Sequence, residues 1–213
     1  MEQPVIIFGA DGLGKLALEI FQSNGVVVYG LLDDDDSMAG TLIQEVPVLG
    51  KTGDQGFLKL IGKKCQAFVA SNDKQLKKKL VAMLIENRKV MPLNAIHGTA
   101  YLSKTSSLGH GNLISAGALV NAHASLGNHG IIHAHATIEY GARLDNYVEI
   151  GAGSTVGAEV SIGEGVFIGA GATIVSGVNI GKNARIGAGS VVISEVGANE
   201  TVFGNPAEKV AST

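Results

Sequence analysis

Apolar positions follow two different rhythms along this chain, and the change falls near residue 97. In the first rhythm, short apolar runs alternate with helical periodicity. PVIIFGA is an unbroken run of the kind buried on both faces of a sheet. It leads through a glycine turn into LGKLALEIFQSNG, whose apolar residues recur at three- and four-residue spacing and stop at Gly25. VVVYGLL predicts a second strand, closed by Asp33 to Asp36, and CQAFVAS another. DKQLKKKLVAMLIENR predicts a helix, and a last strand is expected near VMPLNAI. Strands alternating with helices imply a small parallel sheet, a Rossmann-like α/β domain over residues 1–96.

The second rhythm has a period of six. From Leu102 to Val192, sixteen consecutive positions at six-residue steps are Leu, Ile or Val. Glycine often follows directly, as at Gly127, Gly151, Gly157, Gly163, Gly169, Gly181 and Gly187, and four residues on the side chain is mostly small or β-branched. This is the hexapeptide repeat of a left-handed parallel β-helix, expected over residues 97–213 with a C-terminal cap. Three hexads close a triangular coil, each aliphatic stacks on the one 18 residues away, and coils repeat at the strand spacing of about 4.8 Å. The small residue also points inward, and glycine is expected to serve the corners. The rod's open strand edges need caps, one from the N-terminal domain and one from ETVFGNPAEKV.

Composition narrows the function. The 213 residues include 30 glycines, few aromatics, no tryptophan and a single cysteine, so the core is aliphatic and an internal disulfide framework is excluded. Cys65 precedes an apolar run and reads as a buried thiol rather than a nucleophile. A net charge of -3 gives no reason to expect nucleic acid. No apolar run reaches the roughly 18 residues that span a bilayer, and the N-terminal run lacks the basic lead of a signal peptide. A cytoplasmic protein that engages no membrane is expected.

Four stretches carry candidate chemistry. In FGADGLGKLA, Gly9, Asp11, Gly12 and Gly14 lie between a strand and a helix, where backbone N–H groups can meet a phosphate. The order G-x-x-G-x-G differs from the dinucleotide fingerprint, so a mononucleotide or nucleotide sugar and a plain strand–helix turn both stand. Asp33 and Asp34 end the second strand, where an acid takes nucleotide hydroxyls or base N–H groups. Ser71 and Asn72 follow a strand at a helix start, where capping is the alternative. The histidines His97, His110, His123, His129, His133 and His135 cluster near the change of rhythm. None takes an inward place in its hexad, so all are expected on the outside or at corners. The His133–His135 pair has no third ligand at metal-site spacing, and no metal is expected.

Taken together, VIIFGADGLGKLALEI, LLDDD, ASNDKQLKKKL, LNAIHGTAYLS, VNAHASLGNHGII, the hexad array and VFGNPAEKV make the whole chain resemble bacterial sugar O- and N-acyltransferases. The type is that of the sialic-acid O-acetyltransferases and bacillosamine N-acetyltransferases. The resemblance implies a homotrimer that transfers an acetyl group from acetyl-CoA to a nucleotide-linked amino sugar for bacterial surface glycans. The nucleotide sugar would meet Gly9, Asp11, Gly12, Gly14, Asp33, Asp34, Ser71 and Asn72. CoA would meet Ala158, Gly169, Ala170, Lys182, Arg185 and Pro206 of the closing GNPA turn. The family places a His-Asp/Glu-Cys run where this chain has Tyr140-Gly141-Ala142. His133 falls at a family asparagine, and Glu149 where a second histidine is usual. The site therefore reads as His133, His135, Tyr140 and Glu149, with His133 the first choice of base, His135 the second, and Glu139 or Glu149 the orienting acid or the base itself. Three alternatives stay open: an enzyme with a relocated base, one relying on CoA positioning, and a trimer that binds nucleotide sugar or CoA without catalysis.

Overall fold

The computed structural model describes residues 3–210 and divides into two compact units, residues 1–98 and 99–213. The first is an α/β domain with sheet order β3-β4-β2-β1-β5. Its strands are β1 (Val5–Phe8), β2 (Val28–Leu32), β3 (Leu42–Ile43), β4 (Val46–Gly50) and β5 (Gln66–Val69). β1 pairs in parallel with β2 and β5, and β2 with β4. Helix α1 (Gly12–Ser23) starts at Asp11, whose side chain accepts from the N–H groups of Leu13 and Gly14. Helix α3 (Lys74–Met83) starts at Asp73 in the same way. Strand alternation loads both sheet faces. Ile6, Phe8, Ala67 and Val69 share one cluster with Leu80, Val81 and Leu84, while Phe68 meets Phe21 of α1 edge-on at 5.6 Å.

Three details depart from the periodicity. The helix expected to run through Arg88 ends as α-helix at Met83 and continues as a wider π-turn, Leu84–Arg88, closed by Lys89 in the left-handed region. Of VMPLNAI only Ala95–Ile96 is strand; Pro92 has no N–H to give a ladder. The β3–β4 hairpin and a short helix, α2 (Gln55–Leu58), were not anticipated. The hairpin turns on Gln44 and Glu45, both at positive φ, without the Asn-Gly or Asp-Gly that marks such turns in sequence.

The second unit is the left-handed β-helix. Two-residue strands pair in parallel with those 18 residues away, making three faces. The first carries Tyr101–Leu102, Leu119–Val120, Thr137–Ile138, Thr155–Val156, Thr173–Ile174 and Val191–Val192. Ser107–Leu108, Ser125–Leu126, Arg143–Leu144, Ser161–Ile162 and Asn179–Ile180 form the second. On the third lie Leu113–Ile114, Ile131–Ile132, Glu149–Ile150, Phe167–Ile168 and Arg185–Ile186. The hairpin Thr201–Gly204/Ala207–Lys209 extends the third face from Arg185–Ile186. From Ile114 onward every stacked aliphatic through Val192 is buried, and Leu102 and Leu108 in the first coil are half-buried. At Ser154 and Ser190 a fully buried serine takes the small inward position. Ser154 Oγ donates to the Gly169 carbonyl at 2.9 Å and accepts from the Ala172 N–H at 3.2 Å.

The repeat's glycines fall into two classes, and only one serves corners. Glycine directly after the aliphatic lies against the next coil: a Cβ on Gly151 would come within 2.7 Å of the Gly169 carbonyl carbon. Left-handed backbone occurs two residues later, as at Gly153, where an added Cβ meets open space. His123, His129, His135 and Tyr147 occupy the same corner position at positive φ. His129 takes a corner as expected of the histidines, but unlike His123 and His135 it is not exposed there. It is buried and stacks on Tyr147 with ring centres 5.1 Å apart, and a Cβ on Gly111 of the preceding coil would run into its ring. Among the described residues, no helix is long and apolar enough to cross a membrane.

Candidate functional sites in the two units

In the α/β unit a cleft of about 320 Å³ opens at the carboxyl ends of β1, β2 and β5. β1 lies between β2 and β5 there, so the sheet reverses its winding direction, the place where open α/β sheets hold ligands. Gly9, Asp11, Asp33, Asp34, Ser71 and Asn72 all line it, together with Asp35, Thr52 and Asp73. Gly12 and Gly14 do not. Gly14 is small because a Cβ would strike the Gly9 carbonyl, so it sets how closely α1 approaches β1.

The hydrogen bonds show what each carboxylate does. Asp11 occupies the N–H groups of Leu13 and Gly14, at 3.1 and 3.3 Å, so the helix start is capped rather than open to a phosphate. Asp33 accepts from the N–H groups of Ala10 at 2.7 Å and Asp35 at 2.9 Å, tying the β1 and β2 loops together. Asp34 accepts from both the N–H and the hydroxyl of Thr52. Asp35 accepts from Ser37, whose hydrogen bonds hold the Asp35 carboxyl below its ordinary range. Ser71 Oγ accepts from the Asp73 N–H and so pins the turn into α3. Thr52 and Asp73 escaped the sequence reading; Thr52 follows β4 in GKTGD, a polar turn with no signal of its own.

In the β-helix the central contact is between His133 and Glu149. His133 follows Ile132 on the third face, and Glu149 precedes Ile150 on the next coil, whose strands pair Ile131 with Glu149 and Ile132 with Ile150. Their side chains converge diagonally, with His133 Nε2 3.0 Å from Glu149 Oε1, both about one-third exposed. An ionised carboxylate only accepts, so Nε2 is the donor, and in the neutral imidazole Nδ1 then keeps its lone pair. Glu139, the other acid considered, accepts instead from Asn121 Nδ2 at 3.1 Å on the first face.

Other expected residues divide between faces. His133 shares its outward column with Gly151, Gly169 and Gly187, and Ala170 follows at the adjoining corner. Arg185 flanks this column, its guanidinium carbon 4.7 Å from the centre of the Phe167 ring, an arrangement the repeat pattern did not signal. Pro206, cis to Asn205, turns the hairpin that continues the face. Tyr140 and Ala158 lie elsewhere, on successive coils at the corner after the first face; Tyr140 is exposed, and the Ala158 N–H donates to Ser176 Oγ. Lys182 lies at the corner after the second face and pairs with Glu164 at 3.2 Å. His135 is exposed at a corner. Tyr140, Ala158, Lys182 and His133 are therefore not one constellation within a single chain. Among the described residues no group of three His, Cys, Asp or Glu side chains could hold a metal ion.

Comparison with known proteins agrees with both units. A family model of the PglD N-terminal domain matches residues 4–84, and one of the bacterial transferase hexapeptide (six repeats) matches residues 159–194. No curated protein sequence matches the chain. Among solved structures, a histidine-to-alanine mutant of GDP-perosamine N-acetyl transferase from Caulobacter crescentus, in complex with CoA and GDP-perosamine, is 30% identical. The match covers 100% of this chain and 99% of that one, with a TM-score of 0.90. The acetyltransferase domain of PglB from Neisseria gonorrhoeae, in complex with acetyl coenzyme A, is 26% identical over 99% of this chain and 100% of that one, with a TM-score of 0.89. WeeI from Acinetobacter baumannii, at 22% identity over 98% and 100% of the two chains and a TM-score of 0.73, shares the fold. Matched from end to end by a relative of this identity, the chain belongs to the hexapeptide-repeat sugar acyltransferases that carry a PglD-type N-terminal domain.

Proposed function

We propose that the protein transfers the acetyl group of acetyl-CoA to an amino group of a nucleotide-linked sugar. The observation that carries this reading is the His133–Glu149 pair on the third face. A family member without a His-Asp/Glu pair at the usual place still has one, assembled across two coils. It favours the active reading over a trimer that binds without catalysing.

The chemistry follows from the hydrogen bond. Glu149 holds the Nε2–H tautomer, so Nδ1 takes the proton as the sugar amine attacks the thioester carbonyl. The carbon–nitrogen bond forms and a tetrahedral oxyanion develops. The carbon–sulfur bond then breaks as the imidazolium returns its proton to the departing CoA thiolate. Glu149 stabilises the imidazolium in between. Pantetheine would lie along Gly151, Gly169 and Gly187, where the absence of side chains leaves backbone open to it, and Arg185 would meet CoA phosphate. CoA and acetyl-CoA in the two related structures support this.

The acidic cleft of the α/β unit suits donors. With Asp11 on the first N–H groups of α1 and Asp33, Asp34, Asp35 and Asp73 around the opening, ribose hydroxyls and base N–H groups fit it better than phosphates do. A homotrimer completes the reading. Exposed Tyr101, Val175 and Ile193 on the first face, against Ser107, Ser125, Ser161 and Asn179 on the second, support the first face as the side that meets a neighbouring copy. Tyr140, Ala158 and Lys182 would then join a site only from another subunit. Acetyl-CoA dependence fits a cytoplasmic enzyme, and its acetamido sugar would feed surface glycan assembly.

The test is kinetic. His133→Ala is expected to lower kcat by about a hundredfold or more, in the range of a lost general base, while His110→Ala, exposed on another corner, leaves it unchanged. Equal effects would remove His133 from the mechanism.

A further inference from the structure

Phe203 is 63% exposed, although its strand is part of a face whose stacked aliphatics are buried. The strand pairs Ile186 with Val202, which sets Phe203 beside Gly187. Its ring lies over that glycine: a Cβ on Gly187 would come within 2.7 Å of Phe203 Cδ2. The ring is thus supported from beneath and open above. It closes the column that begins at His133 and continues through Gly151, Gly169 and Gly187. Two chemical features surround it. Arg185, held on the Phe167 ring, lies on the same outward face. Glu208 pairs directly with Phe203 across the hairpin, and opposite residues in an antiparallel pair project to the same side. An aromatic face, a guanidinium for phosphate and a carboxylate for an exocyclic amine together match an adenine nucleotide.

We infer that Phe203 is the platform on which the adenine of the acyl donor stacks, so the enzyme recognises its donor at the nucleotide end as well as the thioester. This rests on the acetyl-CoA reading and adds a residue to it. The acyl group would lie at His133, with the pantetheine arm spanning the coils between.

Steady-state kinetics with acetyl-CoA and with S-acetylpantetheine, which lacks the nucleotide, separates the outcomes. Phe203→Ala is expected to raise KM for acetyl-CoA about tenfold, within the range for loss of one base–aromatic stack, and to leave kcat and the KM for S-acetylpantetheine unchanged. Phe203→Leu, which keeps apolar bulk without an aromatic face, is expected to behave like the alanine variant, and Phe203→Trp like the wild type. A Phe203→Leu enzyme with wild-type KM, or an equal rise for both donors, overturns the stacking role while leaving the transferase reading intact. A wild type that neither binds nor turns over acetyl-CoA overturns both.

Discussion

His133 Nε2 lies 3.0 Å from Glu149 Oε1, so a carboxylate from the next coil holds the imidazole ring. The resemblance, held in register by the six-residue frame, already implied a displaced position for His133 and Glu149 or Glu139 as possible acids. It did not show that a diagonal across two coils would bring Nε2 within 3.0 Å of Glu149 while Asn121 engages Glu139. That depends on side-chain torsions, which no periodicity encodes. Glu149→Gln retains size and loses the charge that stabilises the imidazolium. It is expected to lower kcat by about tenfold to a hundredfold with little change in KM, the mark of an interaction strongest in the transition state; a KM effect alone would assign Glu149 to substrate binding. His135 matched the same sequence logic but stands exposed at a corner. Cys65 was legible from its apolar setting and is fully buried. Burial pushes its thiol pKa up, partly offset by the charge of Lys64. It is expected to resist a thiol reagent in the native protein and to react fully in denaturant; rapid native labelling would contradict its burial.

Among the elements, the β-helix was the most legible because one pattern repeats with every coil. What the pattern did not separate was two reasons for glycine. Gly151 is small because the next coil lies against it, and Gly153 because its backbone is left-handed. Alanine at Gly153 is expected to cost about 1–2 kcal/mol, the left-handed penalty for an L-residue. Alanine at Gly151 must displace backbone and is expected to cost more. Urea unfolding of the two variants checks the order, and a smaller loss at Gly151 would contradict it. The same two reasons explain His129, which fills a corner over Gly111 that a larger residue would block. In the α/β unit the parallel strands β1, β2 and β5 and both long helices were readable from apolar runs and caps. The β3–β4 hairpin was not, since Gln44 and Glu45 adopt its turn without the residues that usually announce one.

For the whole molecule, the two rhythms of the sequence correspond to two compact units, each with its own candidate site. The α/β cleft gathers most of the residues anticipated for a nucleotide, yet its bonds assign Asp11, Asp33 and Asp34 to holding loops as well as facing the opening. In the proposed trimer, Tyr140, Ala158 and Lys182 would reach a site only from another subunit. Sedimentation is therefore expected to give three times the monomer mass, and a stable monomer with full activity would contradict the assembly. The most direct test of the account is release of free CoA thiol when the protein is given acetyl-CoA and a panel of nucleotide-linked amino sugars, with the His133→Ala variant alongside. CoA release is expected to require one such sugar and to fall by about a hundredfold in the variant. No release with any nucleotide-linked amino sugar, or equal release from both proteins, would contradict that expectation.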